Sequence, residues 1–235
     1  MSGNQCTENR MKVITFSIHL TVAAFLIIAI ILSAGCIKRG NPSSIIGKYT
    51  FEYPSPDFSG IAKTDQTIKI ERFSVARDFN SQDMVFRPEP YQLDSYASNR
   101  WMVNPGDMVS DYLLRDIRNA GLFRAAFSFR DLEDARYVME GSVDEFLEVD
   151  ADQSRTAVIT LSVTLFDFSR AGVSNRLLFQ KKYQAKVPIM EKTATGLARA
   201  MSVGMAKLSA QIIRNTLQAV QAPLPENTPV KNPQQ

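Results

Sequence analysis

Three alternating stretches between residues 137 and 187 constrain this chain more than any other feature of it. In 137–149 the odd positions Met139, Gly141, Val143, Leu147 and Val149 are mostly apolar. In 157–168, Ile159, Leu161, Val163 and Leu165 alternate with Thr160, Ser162 and Thr164. In 176–187, Leu177, Phe179, Tyr183 and Val187 oppose Arg176, Gln180, Lys182, Gln184 and Lys186. A period of two predicts strands, and one-sided alternation predicts one buried face and one wet face. The connections 150–155 and 169–174 are short enough to join antiparallel neighbours, so the stretch reads as a meander.

Something must cover the apolar face, and two helical patterns supply it. Asn104 can cap, Pro105 fits the first helical position, and Asp107 suits the positive end of the helix dipole. Val109, Tyr112, Leu113, Ile117 and Ala120 then recur at helical spacing until Gly121 offers a left-handed stop. A second helix over 194–220 carries Leu197, Met201, Met205, Leu208, Ile212 and Leu217 on one stripe. The predicted fold is α/β in the α+β sense. It is a two-layer domain, a mainly antiparallel sheet with two amphipathic helices packed on one face.

Shorter strands are expected at 67–73, at 84–87 and at 91–96, the last two flanking Pro88-Glu89-Pro90. A weak edge strand is expected at 48–53. Residues 36–65 otherwise read as a tether, 66–220 as the domain, and the proline-bearing 221–235 as a disordered tail.

The N-terminal 35 residues have a different character. Arg10 and Lys12 precede an apolar run, 22–32, which contains no polar residue. Small residues and Cys36 follow. Charged, apolar, then small is the layout of a secretory signal, and the run of 11 residues falls short of the roughly 20 that a spanning helix needs. Leu32-Ser33-Ala34-Gly35-Cys36 resembles a bacterial lipobox, in which the cysteine is acylated and becomes the first residue of the mature protein. The competing reading is an uncleaved anchor with an incidental cysteine. Acylation implies firm attachment, at about 0.8 kcal/mol per buried methylene. Ile37 after the cysteine implies an outer-membrane destination facing the periplasm.

Cleavage would also remove Cys6 and His19, leaving no histidine and no free thiol. A serine nucleophile would then lack its usual base, and zinc would lack its usual ligands. No catalytic residue, metal site or cofactor is expected beyond the covalent lipid on Cys36. Gly47-Lys48 fails as a phosphate loop because Pro42 stands where the first glycine belongs. Asp150-Ala151-Asp152 fails as a calcium loop because Arg155 holds the position that requires glycine. The formal charge of +3 is too small to imply nucleic acid.

Three surface features remain as candidates. Strand parity would put Glu140, Asp144, Glu148, Asp150 and Asp152 on one face, either a solvated surface or a docking stripe for a basic partner. Gly196, Ala200 and Gly204 at spacing four would admit close approach, by the sheet or by another chain in a homo-oligomer. Arg87, Tyr91, Tyr96, Arg100 and Trp101 are partner-binding candidates, since Arg and aromatics favour interface anchors. The alternative for them is an aromatic cluster covering the sheet edge.

Taken in order, several features resemble the ABC-type transport auxiliary lipoproteins (PqiC/YmbA-like). They are the lipobox, the strand Ile68-Lys69-Ile70-Glu71-Arg72-Phe73, and Val85-Phe86-Arg87 with Tyr91-Gln92-Leu93. Arg100-Trp101 before the capped helix, Gly121-Leu122-Phe123 and Tyr137-Val138-Met139-Glu140-Gly141 follow. The likeness spans residues 32–220. It implies an accessory role in lipid traffic beside a permease, an ATPase and a lipid-binding MCE protein. A lipoprotein that activates a cell-wall synthase or scaffolds a secretion complex is the alternative, and a carboxylate hydrolase a third.

Overall fold

A computed structural model describes residues 45–151 and 154–222. Nine strands form one sheet: β1 (Gly47–Tyr49), β2 (Thr67–Ile70), β3 (Ser74–Val75), β4 (Asp83–Arg87), β5 (Asp94–Trp101), β6 (Ala125–Ser128), β7 (Tyr137–Ala151), β8 (Ser154–Asp167) and β9 (Leu177–Pro188). The helices are α1 (Pro105–Ala120), the single turn α2 (Val173–Arg176) and α3 (Ala194–Gln221). Both long helices pack on one face of the sheet into a single apolar core. The two-layer α+β expectation therefore holds.

The central strand is β7. Along one edge it pairs antiparallel with β8 over nearly its whole length, and β8 pairs antiparallel with β9. Its other edge is shared in turn by three short strands, all parallel to it. Ile68 to Ile70 lie opposite Tyr137 to Met139, Ser74 and Val75 opposite Ser142 and Val143, and Phe86 and Arg87 opposite Glu148 and Val149. The meander was legible because its turns are short. The parallel pairings were not, because they join segments far apart in sequence.

The helices begin and end where their capping residues dictate. Asn104 Oδ1 accepts from the Gly106 amide at 2.9 Å, and Gly121 closes α1 at φ 60°. Thr193 caps α3 through its hydroxyl, which accepts from the Gly196 amide at 3.0 Å. The small residues of α3 face inward. A Cβ on Gly204 would lie 3.3 Å from Ile159 Cδ1, and one on Gly196 would lie 2.0 Å from the Glu191 carbonyl oxygen. Ala200 is buried as well. This stripe fits the helix to its own sheet and preceding loop, and leaves no groove for a second chain.

Two expectations are corrected. The first concerns the tether. Residues 45–65 carry Phe51 and Phe58 into the core, at 1% and 5% exposure. The Glu52 amide donates to Ser202 Oγ on α3, Tyr112 on α1 donates its hydroxyl to the Phe51 carbonyl, and the Thr64 amide donates to the Leu122 carbonyl. The stretch after Gly47 is thus a strap across both helices. Burial of its aromatics outweighs the linker chemistry of its prolines and serines.

The second correction is a β-bulge between Val143 and Glu145. Before it, odd residues of β7 face the helices. After it, Phe146 pairs with Ile159 and Glu148 with Ala157, on the helix side, while Leu147 and Val149 take the opposite face. One extra residue exchanges the two faces of everything downstream. A similar irregularity at Leu165/Phe166 puts Leu177 opposite Phe166 and leaves it 46% exposed.

Candidate functional site

The five partner-binding candidates are split up by the fold. Trp101 is 1% exposed, with its ring centroid 5.2 Å from Phe146 and 6.3 Å from Phe51. It cannot anchor a partner from inside the core, and the expectation that it does is overturned. Its ring neighbours are the core residues Phe51 and Phe146, neither of them part of the cluster expected at the sheet edge. Arg100 is held by Asp83, Nε to Oδ1 at 2.8 Å, and donates to the carbonyls of Tyr96 and Asn99. Tyr96 donates its hydroxyl to Glu148 Oε2 at 2.7 Å. Burial pushes that hydroxyl well above the usual tyrosine range, and the Glu148 hydrogen bond adds to the shift.

Arg87 and Tyr91 remain at the surface and stand together. Between β4 and β5 the chain turns through Pro88-Glu89-Pro90-Tyr91. With Leu93, Val149 and Asp150 it lines a cleft of about 780 Å³. Tyr91 is fully exposed and holds φ 68°, a left-handed conformation uncommon for a bulky residue. The expected strand at 91–96 is displaced accordingly and begins at Asp94.

The fold breaks up the acidic stripe. Asp144 accepts from the hydroxyls of Ser142 and Ser162, both at 2.6 Å. Glu148, turned to the helix side by the bulge, is 1% exposed and pairs with Arg155 at 3.1 Å, as does Asp150. Glu140 alone projects freely among the described members, and Asp152 lies outside the described residues.

Sequence reasoning missed two buried carboxylates. Asp116, on α1, is completely buried. Its Oδ2 accepts from Tyr53 at 2.9 Å and Ser209 at 2.6 Å, and its Oδ1 from Ser55 at 2.8 Å and Arg115 at 2.7 Å. One side chain thereby ties the strap, α1 and α3 together. The Arg115 guanidinium also lies 4.4 Å from the ring centres of both Tyr53 and Tyr112. Burial pushes the Tyr53 hydroxyl upward, reinforced by the Asp116 charge. A signal was present: Asp116 falls three residues after Leu113 and seven after Val109, on the apolar stripe, where a bare carboxylate could not stay without donors.

Asp167, the last residue of β8, is the second. It receives two bonds from Arg136, Nε and Nη2 each at 3.1 Å, and further bonds from Ser169 and Arg170. Burial alone would raise its pKa. The Arg136 and Ser169 bonds outweigh that and hold it at about 2, below an ordinary value of 3.8. The folded state therefore binds its proton less readily than the unfolded chain. The stabilisation is complete above about pH 4 and disappears as pH falls through about 2; it amounts to ~2 kcal/mol. Urea denaturation of wild type and Asp167→Asn should differ by about that much at pH 7, and the gap should narrow toward pH 2.5.

Among the described residues no helix is long and apolar enough to cross a membrane. No curated protein matches this chain. Two of the solved structures that share its fold are the following. Protein XCC0632 from Xanthomonas campestris aligns at 19% identity and a TM-score of 0.67, over 74% of this chain and 96% of its own. An uncharacterized protein aligns at 13% identity and a TM-score of 0.58, over 73% and 99%. The family model for the ABC-type transport auxiliary lipoprotein component matches residues 49–213, from the strap to the last turns of α3. That match lies within the packed domain and covers most of it, and this chain belongs to that family.

Proposed function

We propose that this chain is a lipoprotein of the outer membrane, facing the periplasm, anchored by acyl chains on Cys36. There it serves as a non-enzymatic auxiliary subunit of an MCE-type ABC transport system that moves lipids between the inner and outer membranes. The family match over residues 49–213 carries this reading. The chemistry of the domain supports the non-enzymatic part. The described residues contain neither histidine nor cysteine. The buried carboxylates Asp116, Glu148 and Asp167 each have protein donors filling their lone pairs. A general acid or base needs an oxygen free to meet substrate. Its role is then to hold and position, with acylation raising the local concentration of a folded surface near the bilayer.

Capture of the full-length protein from mildly solubilised membranes tests this. The lipid-binding MCE protein and its permease should co-purify, and Cys36→Ser should release the protein from the outer-membrane fraction and abolish the capture. Recovery of wild type alone would refute the assignment. Capture of a cell-wall synthase or a secretion component instead would replace it.

A further inference from the structure

The domain has two distinct ends. The fifteen residues of β7 span roughly 45–50 Å, so what sits at one end is well removed from the other. At the first end lie the Pro88–Leu93 turn, beside Val149 and Asp150, and the loop after β9, where the Ile189 amide donates to the Arg155 carbonyl. That end exposes Tyr91 at 106%, Met190 at 90% and Leu93 at 40%. Apolar side chains on loop tips are poorly placed for water and well placed for an interface.

The path of the chain says which interface. β1 runs parallel to β5, with Gly47 opposite Asn99. Going upstream from Gly47, the backbone therefore heads in the direction of Asp94 and the Pro88–Leu93 turn. Ile45 and Ile46, at 94% and 55% exposure, lead the same way. Cys36 precedes Ile45 by nine residues, a reach of at most about 30 Å. The geometry points to this end as a bilayer-contacting face. Tyr91, Leu93 and Met190, with Ile45 and Ile46, dip into the headgroup and upper acyl region of the membrane that holds Cys36. The inference rests on acylation of Cys36. The opposite end, with Leu132 at 99% and Phe168 at 47% exposure, is then directed into the periplasm.

The contact is apolar in kind. Glu89 and Glu191 stand beside Arg87 and Lys192, so the face has no excess of positive charge to seek anionic lipid. Pro88 and Pro90 hold the tip of the turn, which limits the ordering cost of insertion. A surface of this kind should bind neutral bilayers and resist added salt, unlike a polybasic patch.

The test uses the full chain, processed in cells and reconstituted into phosphatidylcholine vesicles. Tyr91→Cys, Met190→Cys, Leu132→Cys and Phe168→Cys variants each carry an environment-sensitive fluorophore. Brominated acyl chains should quench the labels at 91 and 190 by about two-fold or more and leave those at 132 and 168 nearly unchanged, in low and high salt alike. If the protein floats with acylated Cys36 but the labels at 91 and 190 escape the lipid quencher, the inference is overturned and the anchor stands. If those labels also become shielded from aqueous iodide, a protein surface covers this end instead. A protein that does not float, with Cys36 unmodified by mass spectrometry, overturns anchor and inference together.

Discussion

Asp116→Ala should lower the unfolding free energy by about 3–5 kcal/mol, the range seen when one partner of a buried charged pair is deleted. The size follows from what is left behind. Tyr53, Ser55 and Ser209 lose their acceptor, and Arg115 loses its counter-charge. An unpaired buried polar group costs about 1–3 kcal/mol on its own. Urea denaturation should show a lower midpoint with an unchanged slope, since the same surface is exposed on unfolding. Amide exchange gives a more local check. This side chain is one of the strap's ties to α1 and α3, so amides at 50–55 should lose protection before those of β7 and β8. A strap that exchanges as slowly in the variant as in wild type would show that Phe51 and Phe58 suffice to hold it.

Trp101→Ala should cost about 3–5 kcal/mol, as for other large aromatics removed from a packed core. Its ring packs against both Phe51 and Phe146, and its removal opens a cavity where the strap, β5 and β7 meet. Thermal unfolding followed by circular dichroism checks this. An interface anchor would behave in the opposite way, losing a partner and keeping its melting point. Trp101→Phe should be milder, because the indole Nε1 has no hydrogen-bond partner to lose. Trp101 is also the chain's one tryptophan, so its emission should shift to the red when the wild type unfolds.

These expectations show where sequence was a good guide. Asn104, Pro105 and Gly121 marked α1 to the residue, because capping chemistry is local. The meander was readable because β7, β8 and β9 follow one another through short turns. The strap was not readable, because Phe51 and Phe58 are buried against helices that come 50 to 150 residues later. Nor was the bulge: nothing in Val143-Asp144-Glu145 announces it, and it decides whether Glu148 meets solvent or Arg155. The same gap divides the candidate surface. Arg87, Tyr91, Tyr96, Arg100 and Trp101 are neighbours in sequence. Strand geometry sends Trp101 inward, occupies Tyr96 and Arg100 within the domain, and leaves Arg87 and Tyr91 at an exposed turn.

The pairing of β1 with β5 also determines how the domain bears a load. A pull along β1 acts across the slanted hydrogen bonds that join it to the parallel β5. Those bonds are strained together in shear instead of parting one at a time like a zipper. Behind them the pull meets Phe51 wedged in the core and then the Asp116 cluster. A domain moored from this side would carry such a load first in shear between β1 and β5.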